Sequence, residues 1–247
     1  MKAKIILSIV AISILLSSCL VNSLHPFYDE EDIYFDKILL GKWKTNDSTI
    51  WTVKQIYLAI GEDDNKKEYY KKGYVIGYTD ENKVPIAFDM FIFKINNQTY
   101  ADFYPSLYPT AHFENIPDLY ELHSIRTHAL AKIDISEEQI ILTWFNGEWL
   151  AKLIENNRIK ISHEFISFPE PISQKFKGQY VLTAKTIELK KFIEKYGNDE
   201  NAFLKKEGKI LPNGTYHWNA GDGKITGKMT FGQNNNENHI ILNKLNE

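Results

Sequence analysis

The stretch from Ile86 to Tyr104 reads IAFDMFIFKI-NN-QTYADFY and predicts a β-hairpin. Residues 86–95 are mostly apolar, aromatic or β-branched, as expected of a buried strand. The two asparagines that follow tolerate the left-handed backbone that a tight two-residue turn requires. Residues 98–104 are therefore expected to return as the antiparallel partner strand.

Strand patterns of the same kind flank this hairpin on both sides. They are rich in β-branched and aromatic side chains, and several alternate apolar with polar residues. The predicted strands are residues 49–60, 69–79, 128–135, 139–145, 158–165, 225–231 and 239–245. Residues 128–135 and 139–145 are separated by Ser136-Glu137-Glu138 and predict a second hairpin. The chain is therefore expected to form an antiparallel β structure.

Two helical regions interrupt the strands. Asn146 is a favourable N-cap for a short helix over residues 147–156. Thr183 is the expected cap of a second helix, which begins at Ala184 and ends before Gly197. A further short helix after Asn198 extends the second helical region to residues 184–206. The predicted fold class is mainly β with short helices, or α+β.

Composition limits the classes of function. The chain has 247 residues, 43% of them hydrophobic, which is enough for a folded core and excludes a disordered chain. A formal net charge of −3 provides no electrostatic surface for nucleic acid, so none is expected as a partner. Only two of the 29 basic residues are arginines, Arg126 and Arg158, which disfavours phosphate-clamping chemistry.

The N-terminus predicts export and lipid attachment. Lys2 and Lys4 precede the apolar stretch 5–16, which spans only about 18 Å as a helix and is too short to cross a bilayer. This is typical of a secretory signal peptide. Leu16-Ser17-Ser18-Cys19 resembles the lipobox of bacterial lipoproteins. The resemblance implies that residues 1–18 are removed and that Cys19, the only cysteine, carries a diacylglycerol anchor.

This anchor implies a domain organisation and a location. Residues 1–18 are the expected signal peptide, residues 19–36 a tether, and residues 37–247 a single β-rich domain. The membrane is a partner through lipidated Cys19. In bacterial lipoproteins of the kind this N-terminus resembles, members exported to the cell surface tend to carry acidic residues after the lipidated cysteine. Residues 20–23 are neutral, so the resemblance implies the outer membrane, facing the periplasm.

Two resemblances concern the mature chain. Gly41-Lys42-Trp43, at the start of the first predicted strand of the domain, resembles the G-x-W motif of lipocalins. That resemblance implies a closed β-barrel with helical insertions and room for one small ligand, and an antiparallel sheet packed by the helices is the alternative. Residues 23–28, 40–43 and 181–184 are similar to uncharacterised lipoproteins from Bacteroidetes, which implies a shared compartment and fold but no activity.

Trp43 and Trp51 are the candidate core or ligand-cavity residues. They are eight positions apart, so on one continuous strand they would lie on the same face. Trp43 is expected to be buried at one end of the β structure.

No catalytic motif stands out. The chain lacks the nucleophile elbow, the metalloprotease helix motif, the phosphate loop and the dinucleotide fingerprint. His112, His123 and His128 are weak candidates for zinc ligands, but their separations of eleven and five residues match no zinc motif. We therefore expect no bound metal and no cofactor. Trp144, Trp149 and Trp218 could stack on sugars in a glycosidase, although tryptophans at strand and helix spacing are more often core residues.

Three classes of function remain open from the sequence. The favoured one is a non-catalytic binding module for a small apolar or lipid ligand. The alternative is a structural or assembly lipoprotein that docks on an outer-membrane protein complex, and a hydrolase is the third. A large closed apolar cavity would favour the first class, and a filled core with an exposed aromatic face the second. Convergent polar side chains in a cleft would favour the third.

Overall fold

The computed structural model describes residues 20–46, 48–59, 67–79, 85–106, 125–167, 178–203, 215–220, 223–228 and 239–245. The strands in these parts are β1 (Asn22–Ser23), β2 (Ile33–Tyr34), β3 (Gly41–Thr45), β4 (Ile50–Ala59), β5 (Lys67–Thr79), β6 (Pro85–Ile95), β7 (Gln98–Pro105), β8 (His128–Ile135), β9 (Gln139–Trp144), β10 (His163–Ser167), β11 (Gly178–Leu182), β12 (Thr215–Ala220), β13 (Gly223–Lys228) and β14 (His239–Lys244). The α-helices are α1 (Gly147–Glu155) and α2 (Thr186–Tyr196), and Lys37–Leu39 forms a 3₁₀ turn.

The hairpin at the centre of the sequence forms as predicted. β6 and β7 pair antiparallel from Ile95 opposite Gln98 to Phe88 opposite Pro105. Asn96 and Asn97 both have positive φ, 49° and 63°, which is the backbone of a type I′ turn. The local sequence therefore decides both the turn and the register of this pair.

A closed barrel grows from this hairpin. β3 to β9 pair antiparallel in chain order, and β14 lies between β9 and β3, so that eight strands close on themselves. The predicted antiparallel β fold is confirmed, and the closed barrel decides against an open sheet. The α+β label is loose, because the helices of the described residues are only two and both are short.

The strand period of two divides the apolar side chains between two cores. One core fills the barrel and includes Trp43, Trp51, Val53, Tyr74, Ile76, Met90, Ile92, Phe103, Ile133, Leu142 and Leu242. The other lies outside one wall of the barrel, where α1, α2 and the N-terminal segment cover β6, β7 and β8. Its residues include Val21, Phe27, Phe93, Tyr100, Leu130, Phe145, Leu150, Leu189, Phe192 and Ile193.

The segment predicted as a tether is part of this outer layer. β1 pairs antiparallel with β8 and parallel with β11, while β2 pairs with β6. Val21, Phe27 and Ile33 are buried against the barrel wall. The tether prediction for residues 19–36 is therefore wrong from Leu20 onward, because these apolar side chains gain more from packing than from solvation. Cys19 and the predicted signal peptide, residues 1–18, lie outside the described residues.

The helix predictions are confirmed in part. α1 starts at its predicted cap, Asn146, and ends one residue earlier than expected. α2 starts at Thr186, because the backbone N–H groups of Thr183 and Ala184 donate to the Ser162 carbonyl and keep the chain extended. Residues 198–202 form turns and bends, and Phe203 forms a β-bridge with Phe145, so the helix predicted there is wrong. Residues 204–206 are not among the residues that the structure describes.

The strand predicted at 158–165 begins only at His163, as β10. Residues 157 and 158 are needed to reverse the chain after α1, which delays the start of the strand.

Candidate functional site

The inside of the barrel is filled by side chains. The cavity found there has a volume of about 10 Å³ and is lined by apolar residues from all around the barrel, including Leu39, Trp51, Met90 and Leu142. This is about the space of one water molecule, whereas small-molecule sites usually measure about 300–1,000 Å³. The described part of the barrel interior is therefore too small for a ligand of that size, and the binding of an apolar ligand stays a prediction.

Trp43 and Trp51 belong to this filled core. They are direct cross-strand partners in β3 and β4, so they share a face as neighbours on two strands and not along one strand, as the sequence suggested. The Trp43 indole Nε1 donates to the Leu39 carbonyl at 2.8 Å. The 3₁₀ turn that ends at Leu39 therefore seats Trp43 at one end of the barrel.

A larger cleft lies outside the barrel. Its volume is about 470 Å³, and it opens between α1 and the turns that follow α2. The lining residues are Trp149, Lys152, Leu153, Asn156, Arg158, Tyr196, Asp199 and Asn201. We refer to these eight residues as the α1 cleft.

Asn146 holds the two walls of the α1 cleft together. Its side-chain oxygen accepts from the N–H groups of Glu148 and Trp149 at 3.1 and 3.2 Å, which starts α1. Its side-chain amide donates to the Asn201 carbonyl at 3.1 Å, and its backbone N–H donates to Ala202 at 2.8 Å. One residue thus caps the helix and attaches the opposite wall.

The end of α1 places Arg158 at the rim. Asn157 has a φ of 53°, which reverses the chain after the helix. The N–H of Arg158 then donates to the Leu153 carbonyl at 2.8 Å, and that of Asn157 to Ile154 at 2.9 Å. This is the hydrogen-bond pattern of a Schellman motif, so the position of Arg158 follows from the way the helix ends.

The α1 cleft combines an aromatic side with a polar rim. Trp149 and Tyr196 meet edge to face, with ring centroids 5.6 Å apart. Lys152, Asn156 and Arg158 are exposed at the rim. Asp199 accepts from the backbone and side-chain amides of Asn201 at 2.8 and 3.1 Å. The site therefore combines two aromatic rings with donors and acceptors of hydrogen bonds.

A buried Asp–His pair lies on the outer wall of the barrel. Asp102 is fully buried, and its Oδ1 lies 2.7 Å from Nδ1 of His128. Its Oδ2 accepts from the backbone N–H of Phe27 at 3.0 Å. Burial raises the pKa of Asp102, and the hydrogen bond to His128 opposes that rise. The carboxylate therefore ties the N-terminal segment to the barrel wall.

This pair has the first half of a hydrolase triad, but its surroundings indicate a structural role. Ser23 is the cross-strand partner of His128 and is buried. Its hydroxyl donates to the Leu182 carbonyl at 3.4 Å and accepts from the His25 N–H at 3.2 Å. The imidazole of His128 itself stacks on Tyr104 at 4.5 Å. The nearest candidate nucleophile is thus committed to backbone partners.

The structure describes only one of the three candidate zinc ligands. His128 is bonded to Asp102, while His112 and His123 lie outside the described residues. Among the described residues, no three His, Cys, Asp or Glu side chains are grouped so as to hold a metal ion. The expectation of a metal-free protein stays a prediction.

Two of the three tryptophans considered for sugar stacking, Trp144 and Trp149, are separated by the fold. Trp144 packs on Phe103, with ring centroids 4.9 Å apart, and only Trp149 lines the α1 cleft. The side chain of Trp218 is outside the description. Sequence reasoning missed Asp199 and Asn201, because it placed them in a helix, and it noted Arg158 only for the rarity of arginine.

Comparison with protein-family models, curated proteins and solved structures found no match for this chain. In the parts of the chain described above, no helix is both long and apolar enough to cross a membrane.

Proposed function

We propose that this protein is a bacterial lipoprotein that binds a small ligand without catalysing a reaction. The lipobox-like Leu16-Ser17-Ser18-Cys19 supports a lipid anchor on Cys19 after removal of residues 1–18. A thioether-linked diacylglycerol has two chains, which is enough for stable membrane retention. The proposed location is the outer membrane, on the side that faces the periplasm.

The proposed scaffold is a lipocalin-like barrel. Seven strands follow one another in chain order and the eighth closes the ring, which is the up-and-down arrangement of lipocalins. Gly41-Lys42-Trp43 starts the first of these strands, with Trp43 buried. Because side chains fill the barrel interior, we propose that the barrel is a rigid scaffold and that the ligand binds outside it.

The observation that carries the proposal is the difference in volume between the two cavities. The α1 cleft offers about 470 Å³, against about 10 Å³ inside the barrel. Its rings suit the apolar C–H face of a saccharide, while its amides, Asp199 and Arg158 suit ring hydroxyls. We therefore assign a saccharide as the ligand class in place of the apolar or lipid ligand.

The α1 cleft can be tested with sugars directly. A panel of neutral disaccharides, including that of N-acetylglucosamine, would be titrated into the mature chain by calorimetry and tryptophan fluorescence. Arg158→Ala should weaken the best ligand about tenfold or more, because a hydrogen bond from a charged donor contributes about 1.5–3 kcal/mol. Lys160→Ala is the matched control, since it removes an exposed cation two residues away that does not line the cleft.

Two results would contradict the assignment. Equal affinities for the Arg158 and Lys160 variants would place the sugar outside the α1 cleft. If no sugar binds to the folded protein, the saccharide proposal fails, and the docking role on an outer-membrane complex replaces it.

The anchor has its own test. The full-length precursor and its Cys19→Ala variant would be expressed in a Gram-negative host and separated into membrane and soluble fractions. We expect the unaltered protein in the membrane fraction and the variant unprocessed or released. An intact mass that shows an unmodified Cys19 in the native protein would contradict lipidation.

A further inference from the structure

The chain has almost no slack between the proposed lipid and the barrel. Leu20 forms a β-bridge with Asn146, Val21 is buried, and Asn22 begins β1, which is paired on both edges. Consecutive Cα atoms are about 3.8 Å apart, so Cys19 must follow the position of Leu20 closely. Whatever surface surrounds Leu20 is therefore brought to the membrane with the lipid.

The strand registers identify that surface. β1 runs parallel to β11 with Asn22 opposite Val181, so Leu20 lies level with Gln179. Gln179 is the antiparallel partner of Ile166 in β10. Two strand spacings amount to about 10 Å, so Leu20 and Ile166 lie at the same end of this three-stranded extension of the sheet.

This end carries exposed apolar side chains. Leu20 is 38% exposed, Phe165 50% and Ile166 47%, which are three of the seven large apolar side chains exposed among the described residues. Phe165 and Ile166 are neighbours and point to opposite faces of β10, whose one partner among the described strands is β11. An edge strand that exposes a large apolar side chain on each face is unfavourable in water unless something covers those side chains.

The ring of Phe165 is directed toward the same end. A Cβ atom on Gly178 would lie 2.7 Å from Cζ of Phe165, so the ring covers the glycine opposite Ser167 at the end of the hairpin. Tyr180 packs beside it, with ring centroids 5.0 Å apart. An aromatic pair of this kind, with a phenol that can stay hydrated, suits the boundary between lipid and water.

We infer that the end of the extension that carries Leu20, Phe165 and Ile166 enters the bilayer edge-on, as a membrane-contacting face that holds the barrel in one orientation. The inference rests on the proposed lipid anchor at Cys19. The lipid anchor alone is enough to retain the protein at the membrane. The face is therefore proposed to set how deeply the domain sits in the bilayer and how it is oriented. We assign the bilayer as the partner that covers this face. The proposed lipid on Cys19 directly precedes Leu20, so it brings the face and the bilayer together.

Fluorophore depth can test the face in the lipidated protein. Because lipid occupies the only cysteine, a single introduced cysteine can be labelled with an environment-sensitive fluorophore. Ile166→Cys would be compared with Ile50→Cys, whose residue is 48% exposed in β4, across the barrel from β8. Each would be placed in vesicles of phosphatidylethanolamine and phosphatidylglycerol with and without nitroxide-labelled lipid.

We expect nitroxide lipid to quench the label at 166 at least twofold more than that at 50, and aqueous iodide to show the opposite order. Equal quenching at both sites in membrane-bound protein would overturn the face and leave the anchor intact. A protein with intact Cys19 that is not retained by membranes would instead overturn the anchor. Protection at 166 in cells but not in vesicles would show a protein partner on this face and would also overturn the inference.

Discussion

Among single residues, Trp43 is fully buried and its indole N–H has a hydrogen-bond partner. It is among the largest fully buried side chains, and its indole N–H donates a hydrogen bond to the carbonyl of Leu39. The ammonium group of Lys244 lies 4.9 Å from the ring centroid. The residue therefore joins the 3₁₀ turn, β3 and β14 at one end of the barrel.

Trp43→Ala should destabilise the protein by about 3–5 kcal/mol, because the barrel cannot collapse fully around the missing indole. Ile50→Ala is the control, since that side chain is 48% exposed on the neighbouring strand, and it should change stability by less than about 0.5 kcal/mol. Urea unfolding followed by circular dichroism would measure both. A loss below about 1 kcal/mol for the tryptophan variant would exclude its core role.

Asp89 predicts a dependence of stability on pH. No residue that the structure describes offers a hydrogen bond to its buried Oδ1, and burial raises the pKa of the carboxyl, while the Ser106 hydroxyl and the charge of Arg126 oppose the rise. The folded state therefore binds the proton more tightly than the unfolded state. Between the usual pKa near 3.8 and the raised value, this group lowers stability as the pH rises.

Asp89→Asn should remove that loss. The variant should gain stability relative to the unaltered protein as the pH is raised from about 4 to about 7. Unfolding free energies measured at both values would test it. A difference between the two proteins that is the same at both values, or that shrinks toward neutral pH, would contradict the assignment.

At the scale of elements, the β10–β11 hairpin depends on a glycine. Gly178 has a φ of 154°, and a Cβ there would lie 2.3 Å from the carbonyl oxygen of Ile166. Backbone atoms cannot move aside as a flexible side chain can. The hairpin that carries the proposed membrane face therefore requires glycine at this position.

Gly178→Ala should cost about 1–3 kcal/mol, through both the strained φ and the clash. Gly77→Ala is the matched control, because Gly77 also lies in a strand but its Cβ would come within 4 Å of no atom of the described residues. Thermal unfolding of the two variants side by side would measure the difference. Similar stabilities would show that the hairpin can rearrange around an alanine.

At the scale of the whole molecule, the barrel is closed by the last strand. β14 pairs with β9 on one side and with β3 on the other. Because β3 and β14 are about two hundred residues apart in the sequence, closure joins two distant segments of the chain. Leu242 is buried in the barrel core, and Lys244 donates to the Ile38 carbonyl at 3.1 Å. Such distant pairings make folding slow and leave open edges until they form.

Removal of residues 239–247 should therefore abolish cooperative unfolding, because it opens two strand edges and exposes the core. A synthetic peptide of residues 239–247 added in excess should restore part of the native circular dichroism. Cooperative unfolding of the truncated chain, with an unchanged denaturant dependence, would show that closure by β14 is dispensable.

The candidate site could be predicted only in part. Asn146 is visible from sequence as a helix cap, and Trp149 as a possible stacking residue, because both properties are local. Asp199 and Asn201 could not be placed, since the turns after α2 are held by a hydrogen bond to Asn146, more than fifty residues earlier. Asp102 gave no signal either, because its partners Phe27 and His128 come from separate strands and segments.

Elements whose causes lie within a few residues could be read from the amino-acid sequence: the Asn96-Asn97 turn, the alternation of β6 and β7, and the start of α1. The closure of the barrel, its filling by side chains and the packing of residues 20–36 on its wall became visible in the three-dimensional fold. The physical reason is the sequence separation of the interacting residues. Turn geometry and helix capping depend on residues within about one turn of the chain. Barrel closure and filling depend on the pairing and the summed side-chain volumes of strands that are far apart in sequence.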